Sequence, residues 1–182
     1  MHGTRNFGAI VVLFLSLRAM SLAAEVAITD YAPAAPYDRP NQIMVGPDGA
    51  LWFTETEAGR IGRMTTAGAV TEYPLPASNS QPGGITRGPD RTLWFAEPGA
   101  NQIGRITTKG VITEYAVLTQ QYPSSLQGIT AGPDGALWFA EYWPGNIGRI
   151  TADGSVTEYH LTTYASEPVG ITLGTGRRPV VR

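Results

Sequence analysis

The chain has 182 residues, the length of one ordinary domain, of which 42% are hydrophobic and only 15% are charged. Its 22 glycines and 14 prolines argue against a helical bundle, and its apolar content argues against a disordered chain. A formal net charge of −2 without a run of Lys or Arg argues against nucleic-acid or anionic-membrane binding, and the absence of cysteine excludes disulfides and thiolate metal sites.

The first two dozen residues have the pattern of a secretory signal peptide. Arg5 supplies a positive start, residues 7–17 form an apolar run, and residues 21–24 (SLAA) offer small side chains for cleavage. The apolar run is shorter than the roughly 20 residues that a membrane-spanning helix needs. We therefore expect residues 1–24 to be a signal peptide and the mature protein to be periplasmic or secreted, without a stable membrane anchor. A membrane anchor is the alternative, which Arg18 disfavours.

Residues 25–174 contain an internal repeat. Three segments share one phrase, which reads QIMVGPDGALWFTE from Gln42, GITRGPDRTLWFAE from Gly84 and GITAGPDGALWFAE from Gly128. A second shared phrase follows each, beginning with Ile-Gly-Arg and ending with Thr-Glu-Tyr. A repeat of about 40 to 45 residues is typical of propeller blades. The complete units are residues 42–76, 84–118 and 128–162.

Each unit contains four short runs of strand-forming residues separated by turn residues. In the second unit the runs are residues 85–86, 93–97, 102–107 and 112–117. Gly-Pro-Asp-Gly favours a tight hairpin between the first two runs, because Pro fixes φ and Gly accepts positive φ. The Leu-Trp-Phe run is apolar at consecutive positions, which indicates a strand buried on both faces. The sequence therefore predicts an all-β fold, a β-propeller of four-stranded antiparallel blades with about three and a half blades present.

The end of the chain departs from the repeat. Residues 170–174 begin a fourth unit, but residues 175–182 lack the expected Pro-Asp-Gly-Ala-Leu-Trp-Phe. Residues 176–182 (GRRPVVR) can be encoded by a nucleotide string that, read from one nucleotide later, encodes Asp-Gly-Ala-Leu-Trp-Phe. We interpret residues 175–182 as an atypical, frameshifted tail; an unrelated natural terminus is the alternative. An open stack of three blades leaves apolar faces and strand edges in water, which favours self-association.

The phrases GITxGPDGALWFxE, IGRIT and VTEYPLP resemble those of the virginiamycin B lyase (streptogramin B lyase) family over residues 26–174. The resemblance implies a seven-bladed propeller, a magnesium cofactor and a role in antibiotic resistance. The family's enzymes linearise a cyclic depsipeptide by elimination at its ester bond. A general base takes a proton next to a carbonyl, and the metal stabilises the charge that forms. This chain matches only the N-terminal part of such a ring, so the resemblance implies a truncated, inactive portion of the enzyme.

The resemblance also implies where catalytic residues would lie. The family's catalytic histidines directly precede Gly-Ile-Thr in late blades. The matching residues here are Gly83, Gln127 and Val169, with Gln42 near the first unit, and none of them is histidine. We therefore assign no catalytic residue to this chain, and its metal ligands are left unassigned.

Two charged residues recur once in every unit and are the candidate site or ion-pair positions. They are Glu55, Glu97 and Glu141, and Arg63, Arg105 and Arg149. The resemblance matches the glutamates to the acidic site residue of the family. Recurrence in every unit favours an ion pair between the glutamate and the arginine of each blade, with contact to substrate or metal as the alternative. The tryptophan of Leu-Trp-Phe is predicted to be inter-blade core, and the aspartate of Gly-Pro-Asp a turn residue.

Two functional classes remain open from the sequence. One is a streptogramin-lyase-like enzyme whose full-length form opens a cyclic peptide ester. The other is a non-catalytic exported propeller that binds a small molecule or a protein. Hydrolysis of lactones by a metal-dependent propeller is a weaker third reading. Histidine before Gly-Ile-Thr in two later blades would support the lyase.

Overall fold

The computed structural model describes residues 39–77, 79–118, 126–143, 145–162, 166–174 and 179–181 of the chain. All of them belong to one compact unit, Tyr31–Arg182. The predicted signal peptide, residues 1–24, and most of the predicted frameshifted tail lie outside the described residues. Within the described part of the chain, no helix has the length and hydrophobicity needed to cross a membrane.

The fold consists of three four-stranded antiparallel sheets and a two-stranded sheet. Each strand pairs with the next strand in chain order, so each sheet is a meander. Blade 1 comprises β1 (Pro40–Val45), β2 (Leu51–Glu55), β3 (Arg60–Met64) and β4 (Val70–Pro74). Blade 2 comprises β5 (Ile85–Arg87), β6 (Leu93–Glu97), β7 (Gln102–Ile106) and β8 (Ile112–Ala116). Blade 3 comprises β9 (Leu126–Ala131), β10 (Leu137–Glu141), β11 (Asn146–Ile150) and β12 (Val156–His160), and β13 (Ile171–Leu173) pairs with β14 (Pro179–Val181).

The register of the first strand pair is the same in all four units. The cross-strand partners are Ile43 and Phe53, Ile85 and Phe95, Ile129 and Phe139, and Ile171 and Val181. The all-β prediction of four-stranded antiparallel blades is therefore confirmed. The backbone of residues 179–181 continues the repeat's register although their sequence departs from it.

The Gly-Pro-Asp-Gly segments form the tight hairpins that the sequence predicts. In blade 1, the amide of Gly46 donates to the carbonyl oxygen of Ala50 at 2.7 Å. Gly49 has a φ of +77°, a conformation in which a β-carbon is disfavoured. Arg91 takes this place in blade 2 with a φ of +61°, so the turn geometry is kept without the glycine.

The hydrophobic core lies between neighbouring blades. Trp52 and Ile61 of blade 1 pack with Ile85, Leu93 and Phe95 of blade 2. A second cluster joins blade 2 to blade 3 in the same way; it includes Trp94, Ile103, Val117, Leu126, Leu137 and Phe139. The prediction of inter-blade tryptophans is confirmed for the first two blades, while the tryptophan of blade 3 is only partly buried.

The first strands of successive units lie side by side: β5 contacts both β1 and β9, and β9 contacts β13. The glycine of Gly-Ile-Thr permits this approach. A Cβ at Gly84 would lie 3.0 Å from the carbonyl oxygen of Gln127, and a Cβ at Gly128 would lie 3.2 Å from the amide nitrogen of Ile171. These glycines therefore have a packing role, because any side chain would push neighbouring strands apart.

Candidate functional site

The residues that precede Gly-Ile line one cleft of about 330 Å³ where the first strands converge. Gly83, Gln127 and Val169, the positions matched to the family's histidines, all belong to its wall. Their convergence follows from the repeat, since each occupies the same place in its own blade. The polar side chains of the wall are Asn41, Gln42, Thr56, Gln81 and Gln127.

The register corrects the match proposed for the first unit. Ile43 is the counterpart of Ile85, so Asn41 is the residue that precedes the glycine position, and Gln42 occupies the glycine position itself. Asn41 donates from Nδ2 to Oγ1 of Thr56 at 3.3 Å. Gln42 accepts a hydrogen bond at Oε1 from the amide of Ile85 at 3.0 Å and so joins blade 1 to blade 2. Counting back two residues from the isoleucine opposite phenylalanine would have identified Asn41 from the sequence.

The chemistry of the cleft is that of amides and hydroxyls. These groups donate and accept hydrogen bonds and can orient a polar ligand. None of the described residues that line the cleft is an acid, a histidine or a lysine. This part of the molecule can therefore hold a ligand, but it supplies no general base for proton abstraction.

The recurring glutamates lie inside the blades and not on the cleft wall. Glu55, Glu97 and Glu141 end the second strand of their blades, and each is fully buried, with 0% of its surface exposed. Thr56 and Pro98, the residues that follow the first two, do reach the cleft. The glutamates are thus buried next to residues of the cleft wall without lining it themselves.

The predicted ion pair between the glutamate and the recurring arginine is not the one that forms. Arg63, Arg105 and Arg149 each donate from Nε, at 2.7 Å, to the turn aspartate of their own blade, which is Asp48, Asp90 and Asp134 respectively. The hairpin register explains the difference: it places Glu97 opposite Gln102 and places Arg105 opposite Trp94. The arginines therefore make ion pairs within their own blades, and none of them lines the cleft.

The same aspartates also bind the tryptophans. Nε1 of Trp52, Trp94 and Trp138 donates to the aspartate Oδ1 at 2.9, 3.3 and 3.0 Å. Each arginine guanidinium lies over the indole ring, 5.8 to 5.9 Å from its centroid. Burial alone would raise the pKa of these aspartates, but hydrogen bonds from tryptophan, arginine and, at Asp90, Thr92 lower it, for Asp134 to about 2.

The residue opposite each glutamate differs between blades. In blade 1 it is Arg60, whose Nε lies 3.4 Å from Oε2 of Glu55 and whose Nη1 lies 2.8 Å from Oε2 of Glu72. In blade 2 it is the neutral Gln102, and in blade 3 it is Asn146, whose Oδ1 lies 3.0 Å from Nδ1 of His160. The glutamate thus recurs in every blade, while the residue opposite it is an arginine in blade 1 and a neutral amide in blades 2 and 3.

The described residues do not fit the magnesium site that the family resemblance implies. No group of three or more histidine and carboxylate side chains in the described segments is arranged to hold a metal ion. The cleft wall, as far as it is described, carries no carboxylate. Glu55, Glu97 and Glu141 are fully buried, and none of them lines the cleft.

Comparison with known proteins shows that the chain is similar to members of one family. The Virginiamycin B lyase family model matches residues 16–178. A crystal structure of virginiamycin B lyase from Staphylococcus aureus is 44% identical, with a TM-score of 0.80 over 85% of this chain and 52% of that chain. A streptogramin B lyase structure is 43% identical, with a TM-score of 0.81 over 87% of this chain and 52% of that chain.

More distant matches show the fold alone. A structure described as a putative gluconolactonase is 15% identical, with a TM-score of 0.65 over 81% of this chain and 57% of that chain. A search of curated proteins found no match. The chain spans about half the length of the solved lyases that it matches.

Proposed function

Since the chain belongs to the virginiamycin B lyase family, we propose that it is part of an exported, streptogramin-lyase-like propeller. The full-length form linearises a cyclic depsipeptide by metal-assisted elimination. The blades described here supply one wall of the ligand cleft, and the catalytic groups belong to other blades. This chain by itself is then inactive.

The observation that carries this proposal is the composition of the cleft. The positions matched to the family's catalytic histidines do converge there, but they hold Asn41, Gly83, Gln127 and Val169. Elimination needs a base to remove a proton next to a carbonyl, and amides cannot take that role near neutral pH. The wall keeps hydrogen-bonding groups that suit a peptide ligand.

The direct test is incubation of the purified chain with quinupristin and magnesium. Quinupristin is the compound present in a structure of a catalytically inactive S. aureus virginiamycin B lyase. Elimination leaves the mass unchanged and is detected by a shift in chromatographic retention and by the fragmentation pattern of a linear peptide, whereas hydrolysis adds one water. We expect only the intact cyclic compound, and a linear product of unchanged mass would contradict the assignment of inactivity.

Binding without turnover is tested separately by isothermal titration of quinupristin into the chain. We expect Gln127→Ala to weaken any measured binding by about tenfold, which corresponds to loss of one useful hydrogen bond. Lys109→Ala, on the exposed turn between β7 and β8, is the control and should bind like the unmodified chain. Equal effects of the two substitutions would argue against the cleft as the ligand site.

The second candidate function is a non-catalytic exported propeller that binds a small molecule. It is favoured by the same cleft, whose described wall consists of amides, hydroxyls and apolar groups. Sequencing the gene through codons 170–182 and several hundred nucleotides beyond distinguishes the two. Further blades with histidine before Gly-Ile-Thr would support the lyase, and further blades with Gln, Gly or Val there would support the binding protein.

A further inference from the structure

Blade 2 contains a buried pair of carboxyl groups without the cation found in blade 1. Glu97 and Glu114 are the counterparts of Glu55 and Glu72, as their strand registers show. In blade 1, Arg60 contacts both carboxylates. In blade 2 the place of that arginine is taken by Gln102, which has no charge to neutralise two carboxylates.

Among the described residues, none is seen to neutralise this pair. Glu97 is fully buried, and neither of its carboxyl oxygens receives a hydrogen bond from an N–H group. Oε1 of Glu114 and Oε1 of Gln102 are also buried, and neither receives a hydrogen bond from an N–H group. Glu97 and Glu114 are joined by a side-chain hydrogen bond, and two carboxyl groups in contact in a buried place cannot both be ionised without a large energetic cost.

The pair lies at the interface between blades 1 and 2. Glu97 is on the same face of β6 as Phe95, since alternate residues of a strand share a face. A Cβ at Gly104 would contact both the Phe95 ring and Oε1 of Glu97, which places the two side chains together. Phe95 belongs to the cluster that packs against Trp52 of blade 1. Pro98, the next residue along the chain, lines the cleft.

We propose that Glu97 keeps its proton at neutral pH and donates it in a hydrogen bond to Glu114, and that loss of this proton at alkaline pH loosens the interface between blades 1 and 2. The repulsion between two buried carboxylates acts where the blades meet, close to the cleft wall. Blade 1 is not sensitive in this way, because Arg60 compensates both of its carboxylates.

Other ionisable groups on the packed faces do not compensate Glu97. Among the described strands, besides Glu114 on β8, these are Arg87 on β5 and, on blade 1, Arg63 of β3 and Tyr73 of β4. Arg87 is opposite Leu93, at the other end of β6, and Arg63 is ion-paired with Asp48. Glu114 is thus the charged group that acts on Glu97, and it acts by repulsion.

The direction of the pH effect follows from proton linkage. Burial, and then the charge of Glu114, raise the pKa of Glu97 from 4.5 to about 8. Between these values the folded chain holds a proton that the unfolded chain has released, so stability falls as pH rises through this window. Below the window both states are protonated at Glu97, and above it both are ionised, so the contribution of the pair no longer changes.

The test is urea unfolding of the full chain at pH values from 5 to 9, with matched variants. We expect the folding equilibrium constant of the unmodified chain to fall by at least about tenfold between pH 5 and pH 8. Glu97→Gln and Gln102→Arg should both flatten this dependence, the second by recreating the arrangement of blade 1. Glu57→Gln, an exposed glutamate paired with Arg39, is the control and should keep the slope of the unmodified chain.

Two results would overturn the proposal. One is an equal pH slope in the unmodified chain and in Glu97→Gln; Glu114→Gln provides the same comparison if Gln102→Arg does not fold. The other concerns location and uses hydrogen exchange corrected for its intrinsic pH dependence. Amides of β5 and β6 should lose protection at pH 9 before those of β9 and β10, and a uniform loss across the blades would contradict an effect at the interface.

Discussion

One aspartate in each Gly-Pro-Asp turn satisfies two donors from two different strands. In blade 2, Oδ1 of Asp90 accepts from Nε1 of Trp94, and Oδ2 accepts from Nε of Arg105. The indole nitrogen would otherwise be a buried donor without a partner, which is costly. The aspartate therefore does more than shape the turn: it fixes the tryptophan that packs against the next blade.

Removing the charge of this aspartate should weaken blade 2. Asp90→Asn keeps the size of the side chain but loses the ionic hydrogen bond to Arg105, and we expect a loss of about 1–2 kcal/mol in the free energy of unfolding. Urea denaturation measures this loss. Asp153→Asn, in an exposed turn without a tryptophan or arginine partner in the described contacts, is the control and should have a smaller effect.

The same aspartates predict how the protein responds to acid. Burial raises their pKa values, but hydrogen bonds from tryptophan, arginine and, at Asp90, Thr92 outweigh it and hold them below the ordinary 3.8, that of Asp134 at about 2. A lowered pKa stabilises the fold above the unfolded value and loses this effect as pH falls through the folded value. Thermal midpoints should therefore drop between pH 4 and pH 2.

Asp134→Asn tests the origin of this acid sensitivity. The variant is less stable at pH 5, but its thermal midpoint should fall less steeply between pH 4 and pH 2 because one of the groups with a lowered pKa is gone. Parallel curves for the variant and the unmodified chain would mean that other carboxyl groups cause the acid response.

At the scale of the strand, the Ile-Gly-Arg phrase is explained by the neighbouring phenylalanine. The glycines of β3, β7 and β11 lie opposite Phe53, Phe95 and Phe139, and the ring of each phenylalanine covers the glycine. A Cβ on Gly148 would lie 2.0 Å from the ring of Phe139. The third strand thus lacks a side chain at the point where the second strand needs room for an aromatic ring.

Substitution of this glycine should be costly for steric reasons. Gly148→Ala forces Phe139 or the backbone to move, and we expect a loss of about 1–3 kcal/mol in the free energy of unfolding. Gly170→Ala is the matched control, since a Cβ there meets nothing within 4 Å and the expected change is near zero or slightly stabilising. Urea denaturation of the two variants makes the comparison, and equal losses would contradict the steric explanation.

Strand positions were predictable because the repeat and the turn residues mark them. The runs predicted for the second unit agree with the observed strands to within a residue, from β5 at Ile85–Arg87 to β8 at Ile112–Ala116. The predicted ion pairs were wrong, because the glutamate and the arginine were paired only on the ground that both recur once in every unit. Counting outward from the hairpin would have placed Gln102 opposite Glu97 and identified the partner as neutral.

The candidate site was predictable only in part, for a similar reason. The three matched positions in later units were located correctly because their Gly-Ile-Thr phrases are intact, and they line the cleft. Asn41 was missed because the first unit reads Asn-Gln-Ile-Met, which hides the alignment until the strand register is known. The complete burial of the glutamates depends on side-chain direction and packing, which residue spacing alone does not give.

At the scale of the whole described chain, one repeat position has a different environment in blade 1 from the one it has in blades 2 and 3. Ile85 and Ile129 are each 7% exposed, because each packs against the preceding blade. Ile43, their counterpart in blade 1, is 60% exposed. The stability of the stack therefore resides in its interfaces, as in other repeat proteins where each unit contacts its neighbours.

This difference leads to a prediction with a built-in control. Ile85→Ala removes buried methyl groups from the interface between blades 1 and 2, and we expect a loss of about 2–4 kcal/mol in the free energy of unfolding. Ile43→Ala makes the same chemical change at the same repeat position on an exposed surface, where we expect about 0.5 kcal/mol or less. Urea denaturation of the two variants tests whether packing between blades, and not the strand itself, sets the stability. If both substitutions cost the same, the isoleucine stabilises its own sheet, and packing between blades 1 and 2 does not set the stability.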